Sequence, residues 1–226
     1  GRTVFVTWEP PSVRRYDARF LGQFAAVVSP HADLPHPNVI RVQPGLPWTV
    51  GYRYEGPHKR FPTLDYDRLA GMRPPEKTKL ISVICSNKAM TEGHRQRLRL
   101  LEHLRAAFGA ELDVFGNGFN PIEDKWDAIL PYKYHVVMEN SEIDDYWTEK
   151  LSDAYLGFAY PIYSGCTNIG RYFAAEALRT FNRLDPERAV KVVREAIESD
   201  LYGRSAEALA EARAAVLERY NLFPLL

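Results

Sequence analysis

No stretch of about 18 consecutive apolar residues occurs in this 226-residue chain, which excludes a transmembrane helix. A basic-then-apolar leader is missing as well. The chain instead opens on Arg2-Thr-Val-Phe-Val-Thr7, which reads as a strand and suggests a trimmed chain or a reduced N-terminal region. There is no excess of either charge, with 29 Lys+Arg against 29 Asp+Glu. That balance argues against nucleic acid as the main partner, because gripping a phosphate backbone needs a basic surplus; a local basic pocket for one diphosphate remains compatible with it. Cysteine is scarce. Cys85 and Cys166 each sit in an apolar, strand-like or post-strand setting and read as reduced, buried small hydrophobes of a reducing compartment. The expected location is cytoplasmic or peripheral to a membrane. No His, Cys and carboxylate cluster has metal-ligand spacing, and there is neither an internal repeat nor a low-complexity tract.

What is present is the composition of a folded globular protein, 46% apolar and 26% charged. The length suits one large domain or two small ones. Two textures divide the chain, giving an expected partial N-terminal lobe over 1–75 and a second lobe over 76–226. The first is rich in Pro, Tyr and Trp, with strand candidates at Val4–Trp8, Ala25–Ser29 and Val39–Val42. Pro57 to Lys79 is polar and proline-bearing and reads as a connector between lobes.

From Lys79 the rhythm becomes strand, helix, strand, helix. Lys79–Cys85 is a continuous apolar run, as in a strand covered on both faces. His94–Phe108 carries Leu98, Leu101, Leu104 and Ala107 at helical spacing and ends at Gly109. Strands are expected at Glu111–Phe115, Tyr134–Met138 and Tyr160–Tyr163, with helices at Asp124–Leu130, Thr148–Phe158, Pro186–Ser199 and Ala206–Tyr220. Such alternation predicts a parallel, Rossmann-like sheet that binds ligands beyond the carboxyl ends of its strands.

The chemistry concentrates in Glu139-Asn-Ser-Glu-Ile-Asp-Asp-Tyr-Trp-Thr-Glu-Lys150-Leu, where a strand gives way to a helix. A helix start offers free N–H groups and a positive dipole end to an anion, with Asp144 or Asp145 as expected caps. Lys150, early in that helix, opposes the dipole and wants a compensating anion.

This string resembles the signature of glycosyltransferase family 10, the α-1,3/4-fucosyltransferases. The matching pieces are Tyr132-Lys133-Tyr134, Met138-Glu139-Asn140-Ser141, Tyr146-Trp147-Thr148-Glu149-Lys150-Leu151, Pro161-Ile162-Tyr163-Ser164-Gly165, and Asn168 through Tyr172-Phe173. Met138 stands where the family has Phe, and Trp147 where it has a small aliphatic residue. Upstream, Ser86-Asn87 and Arg97 match the family's Ser-Asn and the Arg ahead of an amphipathic helix, with Arg95 and Arg99 as close competitors.

The resemblance implies a GT-B-like α/β fold, with a Rossmann-like C-terminal donor lobe and a reduced N-terminal lobe. It implies an inverting transfer of fucose from GDP-fucose to a saccharide, with no obligatory metal or other cofactor. Arg97 and Lys150 would hold the diphosphate, with Asn140, Tyr146, Glu149, Ser86 and Asn87 around the donor. Glu9, in Val4-Phe-Val-Thr-Trp-Glu9-Pro-Pro-Ser12, matches the family's catalytic base; the alternative is a solvent-facing Glu that ends an edge strand. Glu149 is the second catalytic candidate. A chain that binds a nucleotide sugar without turnover, one that uses another GDP-sugar, and one completed by a partner chain all stay open.

Overall fold

The computed structural model describes residues 3–55, 59–90 and 92–225. Arg2 of the opening run and residues 57–58 of the expected connector lie outside them.

The first three strands are short: β1 (Val4–Val6), then helix α1 (Ala18–Leu21), β2 (Ala26–Ser29) and β3 (Val39–Arg41). They form a parallel sheet in the order β1-β2-β3, with Val6 beside Val28 and Val28 beside Ile40. Asp17 caps α1, its Oδ1 accepting from the Phe20 N–H at 2.8 Å. Phe5 from β1 packs against Tyr16, Phe20 and Phe24, with ring centroids 4.9–5.3 Å apart.

Next come an antiparallel hairpin, β4 (Tyr52–Glu55) and β5 (Lys59–Pro62), and helix α2 (Tyr66–Gly71). Of these, β5 and α2 fall within the expected connector. Asp65 caps α2 through the Arg68 N–H, and Leu69 is fully buried. The polar, proline-bearing composition hid these elements, because each is under seven residues long and shows no full period.

The second sheet is built from β6 (Lys79–Ile84), α3 (Glu92–Phe108), β7 (Leu112–Phe115), α4 (Trp126–Ile129), β8 (Tyr132–Met138), α5 (Glu149–Leu156), β9 (Tyr160–Ser164) and β10 (Arg179–Thr180). All five strands run parallel in the order β10-β9-β8-β6-β7. The order reverses between β6 and β8, and an open parallel sheet splays a crevice beyond the carboxyl ends of such a pair. Helices α6 (Pro186–Glu198), α7 (Leu201–Arg204), α8 (Ala206–Glu218) and α9 (Leu222–Leu225) complete the chain. The apolar stripe of α6 packs inward, with Ala189, Val193 and Ala196 each about 1% exposed.

The segment after β3 is fastened to the second sheet. Val50 and Leu69 join its hydrophobic core. Asp153 of α5 is buried and accepts from the Thr49 N–H at 2.7 Å, the Thr49 hydroxyl at 2.6 Å and the Val50 N–H at 3.1 Å. Gly51 N–H donates to Asp124 at 3.1 Å. From the other end, Gln43 Nε2 donates to the Tyr220 carbonyl at 3.1 Å.

Asp153→Ala should therefore lower the free energy of unfolding in urea by about 3 kcal/mol, because it orphans the Thr49 and Val50 donors and takes from Lys125 the nearer of its two carboxylates. A loss under about 1 kcal/mol would mean that this clamp is not what fixes the segment.

Candidate active site

The crevice between β6 and β8 is organised by Glu139, the first residue beyond β8 and fully buried. Its Oε1 accepts from the Thr148 N–H at 2.8 Å, and its Oε2 from the Thr148 hydroxyl at 2.8 Å. Thr148 in turn is the N-cap of α5, with extended backbone and its oxygen facing the Lys150 N–H at 3.4 Å. The expected caps Asp144 and Asp145 lie elsewhere. Asp144 accepts from the Thr167 hydroxyl. Asp145, buried and left-handed at φ 60°, accepts from Asn168, Arg171 and Tyr172 at 2.7–3.0 Å. Three further residues, Tyr146, Trp147 and Thr148, precede α5, so neither aspartate is adjacent to its first turn.

Lys150, in that first turn, reaches Glu139 at 3.5 Å and Glu149 at 3.3 Å. The opposing dipole is thereby answered by two carboxylates. Burial works against the Lys150 ammonium, and the Glu149 and Glu139 charges overcome it, so its pKa is raised. Burial likewise opposes ionised Glu149, but the Lys150 and Lys125 ammoniums prevail and hold its carboxyl down to about 2. Glu139 differs: burial dominates and pushes its carboxyl up, although Lys150 pulls the other way.

Arg97 arrives from α3. It shares the spacing of Leu101, Leu104 and Phe108, so the stripe that buries those residues turns the guanidinium inward. Arg95 and Arg99 face outward, both paired with Glu92 at 2.9 Å. Arg97 donates from Nη1 to Asn140 Oδ1 at 2.6 Å, while its buried Nε has no hydrogen-bond partner among the described residues. A buried guanidinium N–H left unpaired is costly, and an incoming anion would relieve it.

Arg97 and Lys150 line one open cavity of about 450 Å³, shared with Ser86, Lys88, His94, Gly116, Asn117, Lys125, Asn140, Glu149 and Asp153. Four cations from Lys and Arg thus face two carboxylates across the hollow. Gly116, at φ 115°, allows the β7 end to pass the Cys85 carbonyl, which a Cβ there would strike. Cys85 and Cys166 are both buried free thiols, and burial raises the pKa of each.

Three expected residues are not on the cavity wall. Asn87 is exposed beside it, its N–H bonded to the Asn117 carbonyl at 3.0 Å. Tyr146 is buried behind the wall, its phenol pushed up first by burial, then by Glu139, with Glu9 contributing from further off. Glu9 is exposed on the turn after β1, and Ser12 of that turn meets Ser141 at 2.8 Å. Pro11 of the same turn lines a second cavity of about 650 Å³, together with Tyr16, His31, Arg41, Ile143, Asp144 and Thr167. Lys125 and His135 are cavity residues that the sequence did not reveal. Neither lies in a signature segment, and only the strand order brings them to the crevice.

Among the described residues no group of three or more His, Cys, Asp or Glu is placed to hold a metal ion, and no helix is long and apolar enough to cross a membrane.

Residues 74–182 match the family model described as glycosyltransferase family 10 (fucosyltransferase) C-term. That segment contains every candidate site residue except Glu9. Among solved structures, an α1,3-fucosyltransferase is similar at a TM-score of 0.58 and 16% identity, over 100% of this chain and 75% of that one. The α1,3-fucosyltransferase solved with GDP is similar at 0.59 and 15%, over 96% and 76%. The one solved with GDP-fucose is similar at 0.58 and 15%, over 98% and 76%. At this identity the likeness establishes the fold, which is GT-B.

His135 supplies a pH test of the crevice. Its Nδ1 lies 2.8 Å from the Ser82 hydroxyl, and burial, with Lys125 and Lys77 nearby, lowers its pKa to about 3. Between pH 6.5 and 3 the unfolded chain therefore binds this proton and the folded chain does not, so stability is full above pH 6.5 and falls on acidification. The expected slope is about 1.4 kcal/mol per pH unit from this group. His135→Gln should flatten the unfolding free energy against pH between 6.5 and 5, and an unchanged slope would contradict the assignment.

Proposed function

We propose that this chain, whose residues 74–182 match the family 10 fucosyltransferase C-terminal model, is a glycosyltransferase that moves fucose from GDP-fucose to a saccharide acceptor with inversion at the sugar carbon. The observation that carries this reading is the common hollow of Arg97 and Lys150 beyond β6 and β8, with Arg97 Nε unpaired. A dianionic diphosphate suits a pocket in which cations outnumber carboxylates by two. The similar structure that holds GDP-fucose supports the choice of donor.

In this mechanism the acceptor hydroxyl oxygen forms a bond to the sugar's anomeric carbon. The bond from that carbon to the diphosphate oxygen breaks, and its electron pair leaves with GDP. Arg97 and Lys150 meet the charge that grows on the departing diphosphate, in the role a metal ion fills elsewhere. Ser86, Asn140 and Glu149 flank the donor, with Asn87 beside the cavity and Tyr146 backing its wall, and Glu149 is ionised beside the reacting sugar. Glu9 takes the acceptor's proton as general base. Its exposed side chain lies on a turn whose Pro11 lines the second cavity and whose Ser12 meets Ser141, the neighbour of Asn140, which suits a group that must meet an acceptor near the donor. The domain division follows the chemistry, with 1–75 serving the acceptor and 76–226 the donor.

Calorimetry with GDP should show binding that survives a chelator. Lys150→Ala should weaken it by about 1–3 kcal/mol, the range for a charged hydrogen bond. An affinity equal to the parent's would remove Lys150 from the donor site. In a GDP-release assay with candidate glycans, Glu9→Gln should keep GDP affinity and lose transfer by about 10²-fold or more. Retained transfer would refute Glu9 as the base, and no transfer by the parent with any glycan would favour a donor-binding protein without turnover.

A further inference from the structure

Lys125 is a pocket residue that the proposed transfer does not use. It precedes α4, and its ammonium lies 3.1 Å from Asp153 Oδ2 and 3.6 Å from Glu149 Oε1. Asp153 is the carboxylate that the Thr49 and Val50 N–H groups grip, so Lys125 joins that fastened segment to the mouth of the pocket. Charges alternate along this line: Asp153, Lys125, Glu149, Lys150, Glu139. Glu149 is held between two ammoniums, one on its own helix and one on a different element. A long acidic side chain flanked only by its sequence neighbour could swing toward water; the second cation removes that freedom.

We propose that Lys125 is a positioning residue for the donor, fixing the Glu149 carboxylate in the pocket by meeting, from a different element, the same Oε1 that Lys150 meets. The inference rests on the reading of this pocket as a donor site. Lys125 itself touches no reacting atom. Its effect on the donor passes through Glu149, and through Asp153 it makes that placement depend on the Thr49–Val50 segment. The groups facing Glu149 are Lys150 and Thr148 of its own helix start, Tyr146 and Glu139 from the end of β8 and the loop after it, and Lys125. Removing Lys125 leaves Lys150 as the one cation among them, with Glu139 competing for it. The carboxylate should then be both less fixed and easier to protonate.

The test is GDP-fucose affinity by calorimetry from pH 5 to 8, a donor whose diphosphate diester keeps its charge throughout that range. The parent should bind with little pH dependence. Lys125→Met should bind about tenfold more weakly at pH 7 and lose more as the pH falls, whereas Lys125→Arg should restore both the affinity and the flat profile. Glu149→Gln should be weak and flat, and adding Lys125→Met to it should cost little more, since coupled positions are not additive. If Lys125→Met alone does not fold, Lys125→Met with Asp153→Asn removes both charges and keeps an acceptor for the Thr49 and Val50 N–H groups; the same pH-dependent loss is expected. Parent-like affinity and a flat profile in the Met variants overturn the inference, as does an equal loss in the presence and absence of Glu149→Gln. A parent that binds no GDP-fucose overturns the donor reading, and this inference with it, a result plainly distinct from the other two.

Discussion

A carboxylate with no access to water governs the site. Glu139 is stable there only because Thr148 donates to it twice and Lys150 lies beside it. Burying an ion without such partners would cost several kcal/mol. The same two hydrogen bonds fix the residue that caps α5, and the cap decides where Glu149 and Lys150 emerge. The end of β8, the start of α5 and the two charged side chains beyond it are therefore one unit. Asn140, next in sequence, completes the connection by accepting from Arg97 on the far side of the crevice. Arg183 ties the unit to the chain after β10, donating to the Glu139 carbonyl at 2.7 Å.

Much of this was legible in the sequence, and the reasons are specific. The run Lys79–Cys85 could be read as a central strand because both of its faces are covered, leaving no polar alternation. The stripe of Leu101 and Leu104 fixed the inward face of α3, and Arg97 falls on it where Arg95 and Arg99 do not. The spacing from Glu139 to Lys150 carried the family signature, and that local string folds into a local cluster. What escaped notice was either short or nonlocal. The hairpin β4–β5 and helix α2 are too brief to show a period, and they hold their shape through Asp124, Asp153 and α8 rather than by their own propensity. Asp144-Asp145 looked like a cap because Asp favours that position, but Thr148 with Glu139 behind it is the stronger arrangement, and Asp145 was drawn instead to Arg171, Asn168 and Tyr172. Lys125 and His135 had no local mark at all, since strand order, not sequence proximity, makes them neighbours of Lys150.

Overall neutrality, with 29 charges of each sign, conceals a strong sorting by depth. Most surface pairs, such as Arg99 with Glu92 and Lys191 with Glu195, are largely exposed and contribute little. The pairs that matter for chemistry lie inside, where the effective dielectric is low and each charge perturbs its neighbours over a longer reach. The pKa directions express this sorting. Glu149 is held down, Lys150 is held up, and Glu139 alone among the three is shifted toward its neutral form by burial.

That asymmetry bears on how the pocket can favour a departing diphosphate. Lys125 and Lys150 are already paired with carboxylates in the resting molecule, so attraction of Lys150 to an anion must compete with Glu139 and Glu149. Arg97 is different, because its Nε–H has been taken out of water and given no partner among the described residues. An anion that reaches it gains a hydrogen bond whose donor has already lost its solvation, and the site has little reorganisation left to undergo when charge develops. A stabilising group prepared in advance is most effective where charge grows during the reaction. In the proposed transfer Lys125 and Lys150, already paired, would orient the pocket, and the Arg97 Nε–H would supply its preference for the leaving anion.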